Sequence, residues 1–175
     1  MSLAHRGMAW QSQIDAAHYL YERAARASCV QNPAPMKPLG KAVRGVFRAV
    51  YIAAGPPDYT VQASGVSFLL EAKSIDSDDA FPLARLELHQ ADRMDRHTAQ
   101  LGHAFVLLRL KGAPWLLPWA QLGPLWRAWH AVQLAGGRAK AGTASLDDTA
   151  LAKVGVRLRS ADWLDAALAV ARRTA

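Results

Sequence analysis

Two carboxylates and a lysine in this sequence have a spacing that suits metal-assisted chemistry on a phosphate. Asp58 follows two prolines, and Glu71, Ala72 and Lys73 come thirteen residues later, at the end of an apolar run. Alternate residues of a strand share a face, so Glu71 and Lys73 are expected to point together. Paired carboxylates repel unless a divalent cation lies between them, and hard oxygen ligands suit Mg²⁺ or Mn²⁺. A neighbouring lysine can then orient a water or offset developing phosphate charge.

The same residue types also have an ordinary structural explanation. Two acids and a lysine occur together by chance in many basic proteins. In that case Glu71 and Lys73 form a surface salt bridge, and Asp58 has no connection with them. The surrounding elements therefore have to show whether the three side chains meet.

The elements predicted around these residues favour an α/β or α+β fold around a mixed sheet. A Ser64-Gly65 turn inside residues 61–73 predicts a hairpin, and such a hairpin brings Asp58 beside Glu71. A dense apolar run at 103–110 predicts a strand buried on both faces. The other predicted elements are helices over 8–28, 83–101, 118–134 (interrupted at Gly123-Pro124), 145–154 and 160–173, the last two capped by Ser145 and Ser160, and a short strand over 114–117.

Composition limits the class of protein. The chain has 175 residues, a formal net charge of +7 and a sequence pI near 10.0, which favours a polyanionic partner, nucleic acid before membrane. Its single cysteine, Cys29, excludes an internal disulfide and a zinc site built on several thiolates. With no apolar run long enough to span a bilayer and no signal-peptide core, we expect a soluble cytoplasmic protein. An RNA-binding module is disfavoured, because no strand motif for base stacking is present.

Several motifs, taken in order, make the chain resemble Holliday-junction resolvases of the RecU family, within the PD-(D/E)xK nucleases. The resemblance runs from about Arg6 to about Leu122. Its motifs are Arg6-Gly7-Met8 with Trp10, Asn32-Pro33-Ala34-Pro35, Asp58-Tyr59, Glu71-Ala72-Lys73, Phe81-Pro82-Leu83 with Leu88-His89-Gln90, residues 105–108, and Trp115-Leu116-Leu117-Pro118.

This resemblance implies a restriction-endonuclease-like core, with a mixed central β-sheet flanked by helices. The core would cover residues 1–135. Residues 136–175 lie beyond the resemblance and are expected to form a basic helical C-terminal extension, for which a solvated appendage is favoured and added DNA contacts are the alternative. By the same resemblance Asp58, Glu71 and the carbonyl of Ala72 bind Mg²⁺, with Mn²⁺ as an alternative. Lys73 positions the attacking water, and Gln90 holds the water or the lysine. The family cuts four-way DNA junctions as a homodimer.

One departure from the family pattern concerns catalysis. Where the family usually has a glutamate on its opening helix, this chain has Gln11. An amide can orient a metal-bound water, but it adds no negative charge. Weaker metal binding or altered activity is therefore an open alternative.

A basic stretch predicts contacts with the DNA backbone. By the resemblance, residues 36–57 are expected to project from the core. Arg6 and four basic residues of this segment are the candidate DNA contacts, the four being Lys37, Lys41, Arg44 and Arg48. The alternative is a solvated basic face.

The predicted function is a metal-dependent, structure-selective DNA endonuclease that makes paired nicks in four-way junctions during recombination and repair. Two alternatives stay open. One is a catalytically weak junction-binding accessory protein, which Gln11 favours. The other is a related nuclease that acts on other DNA structures.

Overall fold

The structure is a computed structural model that describes residues 3–76, 79–137 and 144–174, with side chains from residue 8 to residue 173 within those ranges. In chain order its elements are α1 (Leu3–Arg23), β1 (Ser28–Gln31), β2 (Met36–Val43), β3 (Val46–Tyr51), β4 (Tyr59–Ala63), β5 (Val66–Ile75), β6 (Ala80–Pro82), a 3₁₀ turn (Leu83–Arg85), α2 (Leu88–Ala99), β7 (His103–Leu110), β8 (Ala113–Pro118), α3 (Trp119–Leu134), β9 (Ser145–Asp147), α4 (Asp148–Val154), β10 (Val156–Arg157) and α5 (Leu164–Thr174). Among these helices, none is long and apolar enough to cross a membrane.

A six-stranded sheet organises the molecule, in the order β1-β4-β5-β7-β8-β10. The central pair, β5 and β7, is parallel, and the other neighbours are antiparallel. Helices pack on both faces, so the predicted mixed sheet flanked by helices is confirmed. The predicted hairpin is also present as β4 and β5, joined by Ser64 and Gly65, whose φ angles of 50° and 76° suit a tight hairpin turn.

Each face of the sheet carries its own hydrophobic core. On one face α1 and α5 pack against Phe68 and Leu70 of β5, and on the other α2 and α3 pack against the face that contains Leu69. Side chains alternate along β5, so Glu71 and Lys73 belong to the α2 face of the sheet. The strand pattern thus points both residues toward α2.

Several predicted helices have different bounds in the structure, and the first, expected over 8–28, is Leu3–Arg23. The helix expected from residue 83 starts only at Leu88, because Glu87 and Gln90 form a capping box there. The expected interruption at Gly123-Pro124 is wrong, since α3 continues through Pro124. Proline removes one backbone hydrogen bond, and the buried Leu122 and Trp126 on either side anchor the helix to the core.

Neither predicted serine cap is used. Ser145 lies in β9, which pairs with β6, and α4 is capped instead by Asp147, whose carboxylate accepts the N–H of Ala150 at 2.8 Å. The hydroxyl of Ser160 accepts the N–H of Asp162 in a local turn, and α5 begins only at residue 164. Both segments are shorter helices than the sequence predicted.

The C-terminal segment supplies core side chains. Trp163, Leu164 and Ala167 are 0% exposed and pack into the same cluster as Trp10 and Ile14 of α1. The expectation of a solvated appendage is therefore wrong for this part of the chain. The sequence also predicts a flexible basic loop over 136–143, of which residues 138–143 lie outside the described residues.

A separate antiparallel hairpin is formed by β2 and β3. Every residue of these two strands is exposed except the half-buried Ala49. The turn at Arg44-Gly45 has φ angles of 51° and 79°. An extended basic hairpin therefore occupies much of the segment that was expected to project.

Candidate metal centre

The β4–β5 hairpin brings Asp58 to the edge of β5. Asp58 lies one residue before β4, and its Oδ2 accepts the backbone N–H of Ala72 at 2.7 Å. Asn32 holds the chain in place where it enters β4. Its backbone N–H donates to the Asp58 carbonyl at 2.8 Å, and its Nδ2 donates to the Pro57 carbonyl at 2.8 Å. The backbone at Asp58 is thus fixed by Asn32, and its carboxylate is held against β5 by the Ala72 N–H.

This hydrogen bond also indicates where the carbonyl of Ala72 points. The N–H and C=O of one residue in an extended strand project to the same side of the strand. A hydrogen-bonded antiparallel pair shows this, because each residue uses both groups toward the same neighbouring strand. Since the N–H of Ala72 faces Asp58, its carbonyl faces that edge as well. A carboxylate oxygen and a backbone carbonyl oxygen are therefore available together, as a hard divalent cation requires.

Glu71 is the buried member of the pair, with an exposed fraction of 3%. Its Oε1 accepts from Gln90 Nε2 at 2.6 Å and lies 2.8 Å from Lys73 Nζ. Its Oε2 is buried and has no hydrogen-bond partner among the described residues. A buried carboxylate oxygen without a donor fits a cation ligand.

The pKa shifts of Asp58 and Glu71 agree with a role as cation ligands. Burial, and then the charge of Asp58, raise the pKa of Glu71 to about 7, against the opposing effect of Lys73. Burial also raises the pKa of Asp58, while the Ala72 N–H and Lys73 lower it. The site disfavours two negative charges, so a divalent cation between them would relieve both desolvation and repulsion.

The salt bridge between Glu71 and Lys73 that a purely structural role predicts is present, but it is part of a larger network. The Lys73 side chain is only 19% exposed, and its Nζ also donates to Gln90 Oε1 at 3.3 Å. The same Gln90 oxygen accepts the N–H of Glu87 at 3.0 Å, which closes the capping box of α2. Because one amide joins Glu71, Lys73 and the start of α2, the helix holds the lysine against the carboxylate.

Gln11 lies in a neighbouring network on α1. Its side chain hydrogen-bonds to Tyr59, the residue after Asp58, and helps oppose the rise in the pKa of that phenol caused by burial. The Tyr59 hydroxyl donates to Asp15 Oδ1 at 2.6 Å. The sequence analysis missed Asp15. Its position one helical turn after Gln11 was the available signal, and its charge contributes to the raised pKa of Asp58.

The described residues contain no group of three His, Cys, Asp or Glu side chains arranged to hold a metal. A site here therefore depends on two carboxylates and backbone oxygen.

Other side chains near the site have structural contacts. His89 pairs with Glu87 at 3.2 Å. Trp119 and Trp126 of α3 are buried in the core.

Four of the predicted DNA contacts lie on the β2–β3 hairpin, a sheet separate from the one that carries Glu71. The four basic residues of the β2–β3 hairpin are all exposed: Lys37, Lys41, Arg44 and Arg48. Arg6 belongs to α1 by its backbone, and its side chain lies outside the described residues. Their role in binding DNA stays a prediction.

Comparison with known proteins identifies the family of this mixed α/β chain. The family model RecU, described as Recombination protein U, matches residues 5–156. The chain belongs to the RecU family.

Individual relatives are more distant. The chain is 26% identical over 111 residues to the Holliday junction resolvase RecU of Oceanobacillus iheyensis, covering 61% of this chain and 57% of that protein. The chain thus matches little more than half of that relative's length. The solved structure of the Holliday junction resolvase Hjc of Archaeoglobus fulgidus shows a TM-score of 0.44 and 11% identity, over 83% of this chain and 94% of that one.

Proposed function

We propose that this protein is a metal-dependent, structure-selective DNA endonuclease that resolves four-way (Holliday) junctions by paired nicks. The observation that carries the proposal is the unpartnered Oε2 of the buried Glu71, next to Asp58 and the Lys73–Gln90 contact. Membership of the RecU family, and the resolvase name of a relative, support the choice of substrate. The net charge of +7 fits a polyanionic partner.

Asp58, Glu71 and the carbonyl of Ala72 would hold the cation, with Mg²⁺ as first choice and Mn²⁺ as the alternative. When bound, such an ion activates water and stabilises charge on the phosphate and the leaving oxygen. Asp58 keeps one carboxylate oxygen on the Ala72 N–H. The other oxygen is the one proposed to reach the ion.

Lys73 would act on the water and the phosphate. Its Nζ has three N–H donors, and two of its directions are taken by Glu71 and Gln90. The third would orient the attacking water or stabilise phosphate charge. Gln90 would position the lysine by holding it through the same oxygen that caps α2.

A homodimer would supply the second nick. A junction with two-fold symmetry is matched by a two-fold dimer with one centre in each subunit. Each subunit would place Lys37, Lys41, Arg44 and Arg48 of its exposed hairpin against DNA phosphates.

Cleavage of a labelled, mobile four-way junction tests the proposal. Reactions with Mg²⁺, Mn²⁺ or EDTA are run beside a linear duplex of matched sequence. We expect metal-dependent paired nicks on the junction alone. Asp58→Ala or Glu71→Ala should abolish cutting with junction binding retained, and wild-type cutting by either variant would show that the site is assigned wrongly. Equal cutting of the duplex would indicate a related nuclease for other DNA structures.

A second candidate is a catalytically weak junction-binding accessory protein of recombination. It is favoured by Gln11, which adds no negative charge and is engaged with Tyr59. Tight junction binding without cutting in either metal would support this candidate over the nuclease.

A further inference from the structure

A groove opens beside the proposed metal centre, between α2 and the loop that leads to Asp58. Gln90 brings α2 to the centre, and Arg93 and His97 follow it three and seven residues later on the same side of the helix. The groove is lined by Asn32, Pro56, Pro57, Thr60, Leu69, Arg93, Arg96 and His97. One wall therefore carries two arginines and a histidine, and the other ends next to Asp58.

Hydrogen bonds hold both walls in place. On the loop side, Asn32 Nδ2 donates to the Pro57 carbonyl at 2.8 Å and contacts Thr60 Oγ1 at 3.0 Å. On the helix side, His97 Nε2 lies 3.3 Å from the carbonyl of Ser67 in β5. The groove is therefore a formed feature of the surface.

Within the described residues three arginines, Arg26, Arg109 and Arg127, have acidic partners, and Arg93 and Arg96 are not among them. Arg93 and Arg96 are exposed, and neither has an ion pair or side-chain hydrogen bond within the described ranges. By contrast, Arg127 lies 2.7 Å from Asp95, and Arg26 lies 2.5 Å from Asp165.

No carboxylate lines the groove either. Unpaired guanidinium groups beside fixed walls, with no competing acid, are suited to phosphate oxygens. The partner that this surface fits is therefore a polyanion with phosphates along its length.

We propose that Arg93 and Arg96 bind backbone phosphates of the DNA strand that is cut, so that the groove guides this strand to Asp58 and Glu71. This inference rests on the proposed function. With a helical rise of about 1.5 Å per residue, Arg93 lies about 4.5 Å and Arg96 about 9 Å from Gln90 along α2. Phosphates of one strand advance about 3.4 Å along the duplex axis per nucleotide. The two side chains would meet phosphates about one to three nucleotides from the bond that is cut.

A matched pair of double variants tests this assignment. Arg93→Ala/Arg96→Ala removes the two unpaired arginines, and Arg26→Ala/Arg127→Ala removes two exposed arginines that already have acidic partners. Junction binding is measured by fluorescence anisotropy in EDTA, where no cutting occurs, over a series of salt concentrations. Thermal melting of each variant is recorded as the check on folding.

We expect the groove variant to bind more weakly by about tenfold or more near 0.1 M salt. Its slope of log K against log salt should be shallower by about 2, since each lost phosphate contact removes about 0.9 from the slope. The control pair should change the slope by less than half of that amount. Equal slopes and affinities for the two double variants would overturn the assignment.

The design separates this inference from the proposed function. If the wild-type protein binds the junction in EDTA but does not cut it with metal, the endonuclease proposal fails, and the comparison of slopes still decides the role of the groove. If the wild-type protein binds neither junction nor duplex, both fail. Cutting with no difference between the variants overturns the groove alone.

Discussion

Replacing Gln90 with alanine tests whether one amide organises the centre. In the structure this side chain donates to Glu71 Oε1 at 2.6 Å, while its oxygen accepts from Lys73 Nζ at 3.3 Å and from the N–H of Glu87 at 3.0 Å. Gln90→Ala removes all three contacts at once. It leaves the buried Glu71 with Lys73 and the backbone N–H of Asp58 as its partners.

The expected cost follows from these contacts. A hydrogen bond to a charged group contributes about 1.5–3 kcal/mol, and loss of half of a capping box about 0.5–1 kcal/mol. We therefore expect Gln90→Ala to lower the free energy of unfolding by about 2–4 kcal/mol. Loss of a residue that orients a metal ligand typically reduces metal affinity or activity about 10–100-fold, and a similar loss of junction cutting is expected.

Glu87→Ala is the matched control, because it removes the other half of the same capping box. The Glu87 side chain accepts the N–H of Gln90 and pairs with His89, and it has no hydrogen bond or ion pair with Glu71 or Lys73. It should cost about 1 kcal/mol in urea unfolding and leave cutting near the wild-type rate. If the two variants lost stability and cutting equally, Gln90 would be acting only as a helix cap, and the reasoning about the centre would be refuted.

Three further predictions follow from other parts of the structure. Gln11→Glu should raise metal affinity, measured by calorimetric titration, and cutting by roughly tenfold, because it adds a negative charge next to Tyr59; no response would show that position 11 does not limit the chemistry. His18 is buried, and its pKa is lowered to about 4. The free energy of unfolding should therefore fall as pH drops from about 6.5 to about 4, by at most about 3 kcal/mol. His18→Gln should reduce this loss in acid unfolding curves, and an unchanged curve would contradict the assignment. Trp163→Ala should cost about 3–5 kcal/mol in urea unfolding, since Trp163 is 0% exposed, and a loss below 1 kcal/mol would contradict its place in the core.

Local patterns in the sequence were enough to predict several features. The apolar run at 103–110 is strand β7, and the Ser64-Gly65 turn joins β4 to β5. These features depend on residues close together in the chain, so periodicity and turn chemistry reveal them. The hairpin register then brings Asp58 to Ala72 and Glu71, so a sequence-local element accounts for the proximity of the carboxylates.

Contacts between distant parts of the chain could not be read in this way. Glu71 of β5, the partner of Gln90 on α2, lies nineteen residues away in the chain, and Tyr21 of α1 contacts Asp162, 141 residues away. The basic composition of the C-terminal segment suggested a solvated appendage. Trp163 is nevertheless buried against α1, because only the folded sheet offers that surface.

The sequence by itself therefore determined the chemical residue types, the β4–β5 hairpin and the α/β class, all of which follow from local spacing. Tertiary structure decided that Glu71 is buried with one unpartnered oxygen and that Gln11 is engaged with Tyr59 and Asp15. It also decided which arginines lack an acidic partner. Burial and charge pairing depend on what the rest of the chain places around a residue, and that environment exists only once the helices have packed on the sheet.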